Sequence, residues 1–260
     1  MTYILYIWAI VEVALILYAL YKIKKIITIY REDKQVYYYT ADKIESVLTQ
    51  LYGKYKILSF LLSETMIFYY AFLGWFIQKH AFKDVSEYTY SKDTMYGVFF
   101  WVIFVSTMMQ TPIVHYFLSL WSVKVAWVVT GLSIYGLIWL LGDYMAINHT
   151  PIKINETHLY IHIGLRSKID IAFSNIDTIS ANVKEEEKEI YTALVLMPTV
   201  EPNIYITLKE KVSIKGLFGS SKMVDKVALY VDEPKDFLND ALEHGYRISQ
   251  KLIDEIFLKV

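Results

Sequence analysis

The stretch WLLGDYMAINHTPIKINETHLYIHIG, residues Trp139–Gly164, decides the fold, because its hydrophobic period changes in the middle. Up to Ile147 it closes a long apolar run. After Pro151, Leu159, Ile161 and Ile163 alternate with His158, Tyr160 and His162. A long unbroken run reads as a helix in lipid, and period-two alternation reads as a strand with one buried face. Upstream of Pro151, four segments reach the roughly 20 mostly apolar residues that a spanning helix needs. They are Thr2–Tyr21, Ile57–Ile77, Met95–Leu120 and Val125–Ile147. Downstream, the chain reads as a β-rich module closed by one helix. The expected division is a four-span transmembrane domain over 1–150 and an extramembrane domain over 151–260.

Composition agrees with a membrane protein: 55% of the 260 residues are hydrophobic. The net charge of −1 gives no overall attraction to nucleic acid. There are no cysteines, which excludes disulfides, thiolate metal sites and thiol catalysis. The first run lacks a positive n-region and a small-residue cleavage site, so it is expected to be a retained helix. Tyr3, Tyr6 and Trp8 near one of its ends, and Tyr18 and Tyr21 near the other, suit interfacial belts.

Lysine and arginine bias orients spans. Loop 1, Lys22–Lys56, carries Lys22, Lys24, Lys25, Arg31, Lys34, Lys43, Lys54 and Lys56. Loop 2, Gln78–Thr94, carries Lys79, Lys83 and Lys92, offset by Asp84, Glu87 and Asp93. The rule therefore places loop 1 and the tight turn at Ser122–Lys124 inside, and both termini outside. Within loop 1, Ile44, Val47, Leu48 and Leu51 behind Thr40 predict a short amphipathic helix near 41–52, stopped by Gly53. That helix can lie on an anionic leaflet or pack against the rest of the protein.

Ionisable residues inside spans are costly and mark functional candidates. Glu12, Glu64, Gln110 and His115 form the candidate intramembrane polar cluster, with Pro112 expected to kink the third span between the last two. The cluster can bind a cation or relay protons; equally, it can serve interhelical hydrogen bonding, with Glu64 paired to His115. Asp143 and Lys124 lie near span ends, where snorkelling accounts for them. No HExxH, GxSxG or Walker signature is present, so no catalytic residues, metal or cofactor are expected. His158 and His162 would stand roughly 13 Å apart on a strand, too far to share one metal, and read as solvent-face residues.

In the second half, a hairpin turns through Gly164–Ser167, and further strands are expected at Ile176–Val183, Ile190–Met197, Ile204–Lys209, Lys211–Ile214 and Val227–Val231. Lys184–Glu189 reads as an exposed turn. Pro234 opens a helix expected to run to Phe257 on a stripe of Phe237, Leu238, Leu242, Tyr246, Ile253 and Ile256, weakened at Gly245. One loop stands out. Leu217 and Phe218 sit at its tip among Lys209, Lys211, Lys215, Lys222 and Lys226, a pattern suited to an anionic lipid surface or a partner. The alternative is that the two apolar residues fold back onto the sheet.

INETHLYIHIGLRSKIDIAFSNIDTI (Ile154–Ile179) and KVALYVDEPKDFLNDALEHG (Lys226–Gly245) resemble the opening and closing of bacterial pleckstrin-homology-like (PH-like) domains. The resemblance implies a seven-stranded bent β-barrel capped by a C-terminal helix; with the four apolar runs, the expected fold is an all-α four-helix transmembrane bundle followed by an α+β PH-like domain. It also implies binding and scaffolding rather than catalysis, with some relatives acting in self-immunity or envelope stress. Such domains mostly lie in the cytoplasm, opposite to the side given by the charge count. The expected function is thus a non-enzymatic protein of the bacterial cell membrane that binds a partner protein, peptide or lipid headgroup at the membrane face. The alternative is a small transporter or ion-coupled subunit using the intramembrane carboxylates. Neither reading involves nucleic acid.

Overall fold

The computed structural model describes residues 2–53, 55–77, 82, 84–181, 183 and 188–243, with side chains at all of these except 2–12, 14–16, 19, 56 and 242. It divides into two compact units, Met1–Leu62 and Ser63–Val260.

In the first unit, helix α1 (Thr2–Glu32) continues eleven residues past the expected end of its span. Lys22, Lys24, Lys25 and Arg31 of loop 1 are therefore helical. Helix α2 (Thr40–Tyr52) is the expected amphipathic helix, stopped by Gly53 at φ 79°, whose N–H donates to the Thr49 carbonyl. It folds back antiparallel to α1: Lys43 Nζ lies 4.3 Å from the Tyr30 ring centre, and Lys22 Nζ 5.2 Å from that of Tyr52. Each lysine covers an aromatic face while keeping its charge near water.

The second unit takes in most of α3 (Lys56–Leu73), then α4 (Tyr96–Trp121), α5 (Val123–His149), an eight-stranded sheet and α6 (Pro234–Glu243). Among the described residues, three helical segments are long and apolar enough to cross a membrane: Ile57–Phe76, Tyr96–Trp121 and Val123–His149. The fourth expected span forms the first part of α1, where most side chains lie outside the described residues. The protein combines apolar helices suited to membrane association with a mixed sheet domain.

Helices α4 and α5 form an antiparallel hairpin turning at Ser122, with Phe100 stacked on Tyr144 at 4.0 Å. Pro112 does not end α4, which runs through it as one helix. Helix α3 runs in the same direction as α5. The Ile67 carbonyl lies so close to Gly142 that a Cβ there would stand 2.4 Å from its oxygen, and a Cβ on Gly74 would meet Met145. Glycine is required at 142 by this backbone approach, not by any unusual dihedral.

The sheet comprises β1 (Ser86–Tyr88), β2 (Ile152–Ile154), β3 (His158–Ile163), β4 (Ser167–Ala172), β5 (Ile176–Ser180), β6 (Thr192–Leu194), β7 (Ile204–Gly216) and β8 (Ser221–Leu229). Its order is β1-β2-β3-β4-β7-β8-β6, with β5 also paired to β7 and β6 running parallel to β8. The two strands expected at Ile204–Lys209 and Lys211–Ile214 are one long strand, whose register slips between Thr207 and Val212. The bulge bends β7, so that one end pairs β5 and the other pairs β4. Alternate residues such as Leu159, Ile161, Ile169, Ile171, Ile206 and Val227 are buried in one core, which Phe237, Leu238 and Ala241 of α6 complete.

Strand β1 was not expected. It belongs to loop 2, yet it pairs antiparallel with β2. The Asp232 carboxylate accepts hydrogen bonds from the backbone N–H groups of Ser91, Lys92 and Asp93, and Tyr88 donates to Asp240. Lys153, buried on β2, reaches Glu87 of β1 at 2.9 Å and lies over the Phe82 ring. Residues 86–93 of loop 2 are thereby part of the sheet domain. The expected exposed turn falls largely on 184–187 and the expected extension of α6 on 244–257, both outside the described residues, as do Lys54, Lys79 and Lys83.

Candidate functional site

The helices and the sheet meet in a buried polar junction. Asp143 of α5 is 1% exposed and forms a two-pronged ion pair with Arg166, from the β3–β4 turn. Tyr96 at the start of α4 donates to the same carboxylate at 2.6 Å, and the Arg166 guanidinium donates to the Leu196 carbonyl at 2.6 Å. The snorkelling account of Asp143 is therefore replaced: its charge is directed into the protein and fully partnered. Burial alone would push the Arg166 pKa down, but the hydrogen bonds and charge of Asp143 outweigh it and the net shift is upward.

Beside this pair, the Gly164 N–H donates to Tyr90 Oη at 2.8 Å, and Tyr90 Oη lies 3.1 Å from Thr150 Oγ1. Burial raises the Tyr90 pKa, so the phenol stays neutral. Gly164 has φ +54°, and a Cβ there would also strike Ile147 at 2.8 Å. The turn can lie this close to α5 only with glycine at its corner.

A second contact lies at the β7–β8 tip, Leu217–Gly219. The Phe218 N–H donates to Ser63 Oγ of α3, and the Leu217 N–H donates to the Arg166 carbonyl. Phe218 adopts φ +58°, a left-handed conformation uncommon for a bulky residue. The neighbouring turn also bears on the helices, with Leu165 packed on Tyr70, Met145 and Ala146. Both turns thus end against the apolar helices.

The tip lysines separate into groups. Lys211 and Lys215 are exposed on one face of β7, and Lys215 stands in register opposite Lys168 of β4. Lys209 is drawn away at the bulge, donating to the Ser174 carbonyl at 2.7 Å. Lys222 approaches Thr192 Oγ1, and Lys226 lies over the Tyr191 ring.

Among the described residues, the intramembrane candidates bond to separate partners. Both Glu64 oxygens accept from Tyr135 Oη, at 3.0 and 2.8 Å. His115 Nδ1 lies 2.7 Å from Thr130 Oγ1, with its ring edge-on to Trp127. Tyr135 and Thr130 stand five residues apart on α5, about 7.5 Å along the axis, so Glu64 and His115 bond to different turns of that helix and not to each other. Gln110 is exposed, and the side chain of Glu12 lies outside the described residues. His158 and His162 share the outer face of β3, but His162 is buried rather than solvated and lies 3.5 Å from Asp170. Among the described residues, no group of three or more His, Cys, Asp or Glu side chains is placed to hold a metal ion.

Sequence reasoning missed Arg166, Tyr90 and Tyr96. The available signal was a lone carboxylate in an apolar run and one of only three arginines in the chain, at a hairpin turn. Comparison with protein-family models, curated proteins and solved structures gave no match to this chain.

Proposed function

We propose that this chain is a non-enzymatic, multi-pass protein of the cell membrane whose helices hold a PH-like sheet domain at the bilayer, where the β7–β8 hairpin receives a partner protein, peptide or lipid headgroup. The bond from the Phe218 N–H to Ser63 carries this reading, because it fixes the hairpin tip to a helix apolar enough to span. Strand β1, which precedes α4, pairs with β2, which follows α5, so both ends of the helical hairpin meet at the sheet. That arrangement supports α4–α5 as an inserted hairpin with loop 2 and the sheet domain on one side. The basic residues of loop 1 favour the outer side. A role in envelope protection or immunity follows from the resemblance alone.

The test places a photo-reactive benzophenone residue at Ser213, in the middle of the lysine-bearing face, in the full chain in its native membrane. A discrete lipid or polypeptide adduct that disappears with Lys215→Glu, at unchanged abundance, is the expected result. Absence of any adduct while the chain remains membrane-integrated would sink the reading.

A further inference from the structure

We infer that the outer face of β4, β7 and β8 beside the helices docks onto the anionic headgroups of the protein's own bilayer; this rests on the membrane-face reading above and names its ligand class. The first argument is charge. Lys168 and Lys215 stand in register on adjacent strands, and Lys211 shares their face four residues back along β7. Like charges directly opposite one another destabilise a sheet. Asp170, on the same face of β4, answers part of this charge. Burial raises its pKa, but His162, Lys168 and Lys215 more than reverse this and hold it below the usual carboxylate range. Asp225, exposed two residues after Met223 on the same face of β8, answers more of the charge, and three lysines against these two carboxylates leave the face with a modest net positive charge.

The second argument is apolar exposure within that charge. Met223 pairs with Ser213, between Lys211 and Lys215 along the neighbouring strand, and its side chain is 57% exposed. Phe218 at the tip is 41% exposed and retains a backbone conformation that glycine or asparagine would adopt at lower cost. A free phosphate would need the lysines but neither apolar group. A bilayer surface uses both, phosphates for the lysines and the acyl boundary for Met223 and Phe218.

The third argument is place. Lys168 lies two residues from Arg166, whose carbonyl is bonded to the tip, and Lys215 lies two residues before Leu217. At about 3.3 Å per residue, the lysine pair stands within roughly 7 Å of turns that abut α3 and α5. The lysine pair therefore lies at the edge of the apolar helices, where headgroups would surround an inserted bundle, with Lys211 farther out along β7.

The test uses the cysteine-free full chain with Met223→Cys carrying an environment-sensitive fluorophore. It is reconstituted in phosphatidylcholine, and in phosphatidylcholine mixed with phosphatidylglycerol. We expect a blue-shifted, brighter signal only with the anionic lipid, reversed by high salt. Docking should weaken about fivefold for each lysine removed among Lys168, Lys211 and Lys215. Equal signals in both lipids, or no response to the lysine variants, would overturn the inference. Should the Ser213 cross-linker still capture a polypeptide in that case, the membrane-face reading stands and only the lipid assignment falls; with no adduct either, both fall.

Discussion

The two ends of the α4–α5 hairpin meet opposite surroundings with similar composition. At the sheet end, Gly142, Asp143, Met145, Ala146 and Ile147 are all buried, and the one charge among them is closed by Arg166 and Tyr96. Toward the Ser122 turn, Leu120, Trp121, Trp127 and Leu132 are each at least 64% exposed. The sheet end satisfies its hydrophobicity with protein, and the far end leaves it exposed, as a helix suited to membrane association would. Hydropathy alone does not separate these fates, because a residue leaves water in either case.

The comparison predicts the largest effect at the junction. Asp143→Ala leaves the Arg166 guanidinium partly buried without its carboxylate, and should cost about 3–5 kcal/mol of stability. Chemical denaturation of the full chain in mild detergent would measure it, and a change below about 1 kcal/mol would reduce the pair to a surface contact. At the far end, Leu132→Lys should impair insertion by about 2.5–3.5 kcal/mol, read as a rise in the alkali-extractable fraction. Unchanged extraction would mean that this exposed face does not meet hydrocarbon.

The smallest expected effect concerns pH. The folded-state pKa of Asp170 lies below its unfolded value, so its contribution is present above the ordinary carboxylate range and is lost as pH falls through the folded value. The melting temperature should therefore drop more steeply in acid for the parent than for Asp170→Asn. Parallel curves would remove the pairing with His162 and the lysines as its cause.

Much of the architecture was legible. The β3–β4 hairpin and its Gly164 turn, helix α2 with its Gly53 stop, and the onset of α6 at Pro234 all follow local signals. Strand β1 was hidden because Ser86–Tyr88 is only three residues long and takes its partner from beyond two helices. The division of the polar residues was hidden as well. Counting along each helix gives depth but neither azimuth nor relative slide, and these placed Glu64 with Tyr135 and His115 with Thr130.

The sequence by itself determined which segments are apolar enough for lipid, where the period changes to that of strands, and that thiol chemistry is absent, since these depend on residue type and spacing along the chain. Only the tertiary structure decided that residues 86–93 of loop 2 join the sheet domain, that Asp143 turns inward to Arg166, and that Lys168 meets Lys215 beside Met223. Those pairings depend on register and on how closely two backbones approach, as at Gly142 and Gly164, where the missing Cβ lets separate parts of the chain come into contact.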